Sequence, residues 1–136
     1  MLKELGLVAH ALSDQTRLRI LKLLALRPIC VCELTYILGA GQSRVSQNLA
    51  ILKYAGLVTD ERYGRLVYYS LNRSAFDEVI RTIRDLVAEG GLDNVPDMAA
   101  ERQRWLDLQA NPRVLCPVEN PTISGLVNMP TTTATP

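Results

Sequence analysis

Residues 42–71 read QSRVSQNLAILKYAGLVTDERYGRLVYYSL, and this stretch decides the fold. Its first half places three apolar side chains four and three residues apart, so that they can face a core together: Val45, Leu49 and Leu52. From Leu57 onward the pattern changes to two β-rich runs joined around Gly64, which is typical of a hairpin. The sequence therefore predicts a helix from Gln42 to about Ala55, followed directly by two antiparallel strands.

The residues before this stretch predict three more helices. Apolar spacing, a proline that ends one helix and Ser13 as an N-cap place them at residues 2–11, 14–26 and 31–38. Gly39 and Gly41 bracket a tight turn between the third and fourth helices. Helix, short turn, helix and hairpin form a winged helix-turn-helix, whose second helix enters the major groove of DNA. The expected fold class is thus mainly α with a β-hairpin.

The second half of the chain continues with helices and ends in a proline-rich segment. A fifth helix starts after Ser74, and a weaker sixth helix runs from about Asp97 to Gln109. Five of the seven prolines follow Asn111, which favours an irregular tail. We expect a DNA-binding and dimerisation domain over residues 1–110 and an irregular tail over residues 111–136. The apolar stripes of the first and fifth helices exceed what one small core needs, so these helices are expected to join two copies as a homodimer.

Charge and hydropathy limit the choice of partners. Residues 41–73 carry five basic and two acidic side chains, whereas residues 74–136 carry five basic and nine acidic ones. Basic charge is thus concentrated where a phosphate backbone would be met, although chance variation is the alternative. No apolar run reaches the roughly 18–20 residues that span a bilayer, and the N-terminus lacks the pattern of a signal peptide. We expect a cytoplasmic protein without a membrane partner, in which the three cysteines stay reduced.

The polar side chains of the fourth helix are candidates for reading double-stranded operator DNA. Arginine can fork onto guanine, glutamine and asparagine onto adenine, and serine can contact phosphate or bases. The alternative is a solvated polar face. Near the tip of the hairpin, Arg62 and Arg65 are expected to contact phosphate, unless they only keep the hairpin soluble. The candidates on or near the outer face of the fourth helix are Gln42, Ser43, Arg44, Ser46, Gln47 and Asn48.

Cys30 and Cys32 are the candidate inducer ligands. Two soft thiolates one residue apart suit a single thiophilic ion. In a regular helix, residues two apart point about 200° away from each other. The two sulfurs can therefore converge only if Cys30 lies just outside the third helix. An ion bound there would move the start of that helix. The alternative is that both cysteines act as small buried hydrophobes.

Three segments of the chain, in order, resemble the ArsR/SmtB family of metal-responsive repressors. ALSDQTRLRILKLL (11–24) is similar to the second helix of that family, CVCEL (30–34) to the metal-binding segment of its arsenic-responsive branch, and SRVSQNLAILKYAGLV (43–58) to its recognition helix and first wing strand. The resemblance covers about residues 5–88. It implies a homodimeric repressor that leaves its operator when an inducer binds.

The chain departs from this family at the third metal ligand. Arsenic-responsive members often have a third cysteine three residues after Cys-X-Cys, where this chain has Thr35. A hydroxyl is a poor ligand for a soft ion. Cys116 is the remaining cysteine, and we expect it to complete the site, within one chain or across the dimer. The alternative is an unpaired thiol in the tail.

The sequence therefore predicts a transcriptional repressor released by trivalent arsenic or antimony, without an organic cofactor. One alternative is a two-cysteine sensor of methylated trivalent arsenicals or of thiol oxidation. A Cys-X-Cys thiol enzyme would need a positioned base or a thioredoxin-like βαβ pattern, and the sequence has neither. A phosphate-binding glycine loop, a nucleophile elbow and a histidine-based triad are also missing. The protein is therefore not expected to be an enzyme.

Overall fold

The computed structural model describes residues 1–111. Contacts divide the chain into two units, Met1–Ala99 and Ala100–Pro136, and the winged helix lies in the first. The predicted boundary at residue 110 stays a prediction. In chain order the elements are α1 (Leu2–Leu12), α2 (Gln15–Leu24), β1 (Ile29–Cys30), α3 (Val31–Leu38), α4 (Gln42–Tyr54), β2 (Val58–Tyr63), β3 (Leu66–Leu71), α5 (Arg73–Leu86), two 3-10 turns (Leu92–Asn94 and Pro96–Met98) and α6 (Ala99–Ala110).

The helices of the first unit enclose one apolar core. Val45, Leu49 and Leu52 of α4 are fully buried, as their spacing predicts. They meet Ile20 of α2 and Leu34 of α3 in the same cluster. Because α4 contributes its apolar side chains on one face, its opposite face is left for solvent or a ligand. The predicted winged helix-turn-helix is confirmed.

The turn between α3 and α4 requires a glycine. Gly39 has φ +61° and ψ +30°, a left-handed conformation that residues with a Cβ rarely adopt. The Gly39 N–H donates to the Tyr36 carbonyl, and the Ala40 N–H donates to the Thr35 carbonyl. These bonds close the end of α3 and let the chain reverse into α4 within three residues.

The sheet contains one more strand than the sequence predicts. The strand order is β1-β3-β2. β2 and β3 form the expected hairpin, with Val58 opposite Leu71 and Tyr63 opposite Leu66. The additional strand β1 pairs antiparallel with β3, so that Cys30 lies opposite Tyr68. The hairpin is therefore attached directly to the residue that precedes α3.

The starts of α2 and α5 differ from the predicted ones because other residues cap these helices, and α6 begins at Ala99, two residues after its predicted start. α2 begins at Gln15, and its N-cap is Asp14 rather than Ser13. The Asp14 carboxylate accepts from the Arg17 N–H, whereas the Ser13 hydroxyl donates to the His10 carbonyl at the end of α1. α5 begins at Arg73, one residue before Ser74, and Asn72 is its N-cap. In both cases a side chain with a better-placed oxygen caps the helix.

The apolar stripe of α5 is only partly used within one chain. Phe76 and Val79 pack against the core. The rest of the stripe is exposed to solvent and forms an apolar patch, a feature that is common at protein–protein contacts. The patch consists of Ile80, Ile83, Leu86 and Val87.

Candidate nucleic-acid interface and cysteine pair

The outer face of α4 presents most of the predicted DNA-reading residues. Burial of Val45, Leu49 and Leu52 on the inner face turns the remaining positions outward. Arg44 lies in the middle of this surface, where its Nη2 donates to the Thr16 hydroxyl over 3.3 Å. The guanidinium keeps other N–H groups free for an acceptor outside the protein. The exposed residues are Gln42, Ser43, Arg44, Ser46 and Gln47.

Asn48 does not lie on the outer face, and that part of the prediction is wrong. Only 8% of its surface is exposed. It follows Val45 by three residues and precedes Leu49 by one, which places it at the edge of the buried stripe. Its Nδ2 donates to the Arg44 carbonyl over 3.0 Å, and its Oδ1 accepts from Arg17. Asn48 therefore points towards α2 rather than outward.

Arg17 is a buried cation that the sequence analysis missed. It is 7% exposed, and its guanidinium donates to three acceptors on two other helices. Nε contacts the Ala11 carbonyl over 2.7 Å, Nη2 the His10 carbonyl over 3.0 Å, and Nη1 the Asn48 Oδ1 over 3.2 Å. The sequence contained a signal, because Arg17 falls three and four residues before the apolar pair Ile20 and Leu21 on the inner stripe of α2.

The hairpin carries its two predicted cations at the tip. Arg62 and Arg65 are both exposed, and Gly64, with φ +62°, turns the chain between the strands. At the base of the hairpin, Lys53 of α4 forms an ion pair with Asp60 of β2 over 2.9 Å. This pair joins the recognition helix to the hairpin, so that the two candidate DNA-contacting elements are held together.

The two cysteines converge as the spacing argument requires. Cys30 is the N-cap of α3, with an extended backbone (φ −83°, ψ 162°), so it lies just outside the helix. Its Sγ is 2.7 Å from the Cys32 Sγ. Cys30 is buried and Cys32 is exposed. One thiophilic ion can therefore reach Cys32 from solvent and bridge to Cys30 with a small movement.

Glu33 organises the start of α3 around Cys30. Its Oε1 accepts from the Cys30 N–H over 3.3 Å and from the Cys30 thiol over 3.4 Å. Its Oε2 accepts from Arg27 Nη2 over 2.6 Å. The bond from Arg27, followed by those from Cys30, lowers the pKa of Glu33 from 4.5 to about 2. Burial, and then the contact with Cys32, raises the pKa of the Cys30 thiol.

The third predicted ligand, Cys116, lies outside the described residues 1–111. Thr35 occupies the position where the resemblance would put a cysteine, and its hydroxyl donates to the Cys32 carbonyl over 2.7 Å. Between residues 1 and 111 no three His, Cys, Asp or Glu side chains are grouped as a metal site. Within the described residues the candidate ligands are thus two adjacent thiols, and two sulfurs suit a soft ion with a low coordination number.

Comparison with known proteins agrees with the winged helix-turn-helix fold. Residues 14–60 match the family described as bacterial regulatory protein, arsR family. The chain is 43% identical over 67 residues to the arsenic resistance transcriptional regulator ArsR1 of Pseudomonas putida, covering 48% of this chain and 52% of that protein. It is 33% identical over 81 residues to the arsenical resistance operon repressor of Staphylococcus aureus, covering 60% of this chain and 78% of that protein. The chain thus spans little more than half of the Pseudomonas relative.

Solved structures of other proteins share this fold. The ArsR-like transcriptional regulator from Rhodococcus sp. RHA1 superposes with a TM-score of 0.61 at 26% identity, covering 80% of this chain and 93% of that one. HlyU from Vibrio cholerae has a TM-score of 0.53 at 29% identity, with coverages of 62% and 92%.

The sequence-based expectation of a regulator rather than an enzyme agrees with these relatives. Those described above by function are transcriptional regulators or repressors. Within the described residues no helix has the length and apolar character needed to cross a membrane. The motif resemblance, the winged helix and the match to most of the Staphylococcus repressor lead to one conclusion: the chain belongs to the arsR family of bacterial regulatory proteins.

Proposed function

We propose that this protein is a cytoplasmic, homodimeric transcriptional repressor that leaves operator DNA when trivalent arsenic, or antimony, binds its cysteines. The observation that carries the proposal is the position of the cysteine pair. Cys30 and Cys32 start α3, and α3 packs against α4, whose outer face bears the candidate DNA-reading side chains. A change at the sulfurs is therefore one helix away from the DNA surface.

The DNA contacts of the proposal divide into two kinds. Arg44 and its exposed neighbours on α4 would read base edges in the major groove, and Arg62 and Arg65 would contact the phosphate backbone. The exposed stripe of α5, together with α1, which packs against α5, would form the dimer interface. A two-fold dimer would place two copies of α4 on the two halves of a palindromic site.

Release follows from how α3 begins. Each As–S bond replaces an As–OH bond, and the thiol proton leaves with the hydroxide as water. Cys30 would have to turn its Sγ out of its buried position towards an ion held by Cys32. Its thiol then no longer donates to Glu33, and its backbone no longer fits the capping arrangement at the start of α3. The first turn of α3 would shift, and α4 would lose its support.

A mobility-shift titration tests this sensor. The probe is a palindromic duplex selected by the protein from a randomised library, and the inducer is arsenite. Cys32→Ser, at an exposed position, should bind the duplex as the wild type does but should not be released. Cys30→Ser should behave in the same way, because serine also caps a helix. A Cys32→Ser protein that arsenite still releases at the wild-type concentration would contradict the sensor.

The two kinds of DNA contact are tested separately. Arg44→Ala should weaken binding to the selected duplex by roughly 1–3 kcal/mol. Arg65→Ala should weaken binding to every duplex and reduce the slope of log affinity against log salt by about one. A loss confined to one sequence in Arg65→Ala would rule out the phosphate assignment.

Cys116 is proposed as the third thiolate, because trivalent arsenic prefers three sulfurs and Thr35 supplies none. X-ray absorption at the arsenic edge should give about three As–S bonds in the wild type and two in Cys116→Ser. Two sulfurs already in the wild type would favour the alternative, a two-thiol sensor of methylated arsenicals. The 2.7 Å Sγ–Sγ separation also suits thiol oxidation, in which two protons and two electrons pass to an oxidant such as a peroxide. Release of DNA by peroxide alone would favour that form.

A further inference from the structure

Two side chains from the first turn of α2 hold the first two turns of α4. Thr16 accepts from the Arg44 guanidinium over 3.3 Å, and Arg17 donates to the Asn48 Oδ1 over 3.2 Å. Asn48 in turn donates to the Arg44 carbonyl over 3.0 Å. We call these four residues the α2–α4 brace. The brace joins α4, the proposed recognition helix, to α2 through polar side chains.

The charge of Arg17 is stabilised by helix ends rather than by a close carboxylate. The nearest carboxylate oxygen that pairs with it, on Asp14, is 3.9 Å from Nη1. Its two short bonds go to the carbonyls of His10 and Ala11, at the C-terminal end of α1, where the helix dipole is negative. A buried cation held in this way needs all of its acceptors, because each lost bond leaves a desolvated N–H. One guanidinium thus ties together α1, α2 and α4.

A polar contact fixes the orientation of a helix more sharply than apolar packing does. Apolar side chains of suitable volume tolerate small rotations of a helix, whereas a hydrogen bond weakens steeply away from its preferred angle. Asn48 lies beside Leu49 on the inner face of α4 and fixes the rotation of α4 about its axis. That rotation decides where the side chains of Arg44 and Gln47 point.

We propose that Arg17 and Asn48 are positioning residues for DNA recognition, which aim the outer face of α4 without contacting DNA themselves. This inference rests on the proposed DNA-binding function. Because Arg17 also holds the end of α1, the brace links the recognition helix to a helix of the proposed dimer interface. It therefore sets the angle and spacing of the two recognition helices, which a palindromic site requires.

The test uses Asn48→Leu, which keeps the size of the side chain but removes both hydrogen bonds. The probes are the palindromic duplex selected by the wild type and a scrambled duplex of the same length. Asn48→Leu should weaken binding to the selected duplex by about tenfold. Binding to the scrambled duplex and its salt dependence should stay unchanged, because the phosphate contacts are kept. Asn48→Asp, which keeps an acceptor for Arg17, should recover most of the lost affinity.

Two controls separate positioning from general destabilisation. Ile20→Val changes a fully buried side chain on α2 without touching the brace, so it should lower the thermal midpoint and leave both affinities unchanged. If Asn48→Leu does not fold, Thr16→Val replaces it, since this change removes only the bond to Arg44. Thr16→Val should reduce the preference for the selected duplex by about threefold, within the range of a single weak hydrogen bond.

A second measurement does not depend on DNA. Amide hydrogen exchange in α4 should be about tenfold faster in Asn48→Leu than in the wild type, while Ile20→Val should alter α4 no more than the other core helices. Unchanged duplex preference together with unchanged exchange in α4 would overturn the brace. A wild-type protein that selects no duplex would refute the proposed function instead, and the exchange rates would then decide the brace alone.

Discussion

Replacing Gly39 by alanine should destabilise the protein, although no atom obstructs the new methyl group. A Cβ built on Gly39 meets nothing within 4 Å, so the effect comes from the backbone. An L-residue in the left-handed region costs roughly 1–2 kcal/mol. The reduced freedom of the unfolded chain offsets about 0.4–1 kcal/mol of that cost. The free energy of unfolding should therefore fall by about 1 kcal/mol, and the thermal midpoint by roughly 2–8 °C.

Gly6 provides the matched control for Gly39. It lies inside α1, and a Cβ there also meets nothing within 4 Å. Because alanine is the better helix former, Gly6→Ala should raise the free energy of unfolding by roughly 0.5–1 kcal/mol. Urea unfolding of both variants at one protein concentration measures the two effects. The same substitution should act in opposite directions at the two sites. A Gly39→Ala protein as stable as the wild type would refute the assignment of the cost to backbone conformation.

Two further predictions concern α3. Glu33→Gln should destabilise the protein in a pH-dependent way. Because the folded pKa of Glu33 is lowered from 4.5 to about 2, ionised Glu33 stabilises the fold fully above about pH 4.5, and this contribution is lost as the pH falls towards 2. Urea unfolding at several pH values should show the gap between wild type and variant closing over that range, and a constant gap would contradict the ion pair with Arg27. Leu34→Ala, at a fully buried position, should lower the free energy of unfolding by roughly 2–5 kcal/mol. Ile37→Ala, on the exposed side of the same helix, should cost much less in parallel denaturation curves, and equal losses would mean that α3 packs differently.

The local elements and the face of α4 could be predicted from the sequence. Val31–Leu38 agrees with its predicted bounds, and the observed Gln42–Tyr54 ends one residue before the predicted end. These helices are set by apolar side chains at helical spacing and by the glycine turn between them, which are interactions among near neighbours in the chain. The exposed outer face of α4 follows from the same spacing, because burial of every third or fourth residue turns the others outward.

The buried polar contacts could be identified only from the tertiary structure. Asn48 has the residue type of a base reader, and a sequence pattern cannot tell which polar side chain at the edge of an apolar stripe faces inward. Its orientation is decided by Arg17, which is 31 residues away in the chain and needs acceptors from two other helices at once. The choice of Asp14 rather than Ser13 as N-cap is similar, because it depends on where the end of α1 directs the chain.

The arrangement of the cysteine pair depends on both the sequence and the tertiary structure. From the spacing of Cys30 and Cys32 alone it followed that the sulfurs could converge only if Cys30 lay outside the helix. That it does so depends on β1, a two-residue strand too short to have any periodicity of its own. Cys30 is held extended because it pairs with Tyr68 of β3, a partner that only the folded hairpin brings alongside it. The sequence by itself thus determined which two thiols are the candidate ligands of one ion, whereas long-range strand pairing decided the backbone conformation that brings their sulfurs together.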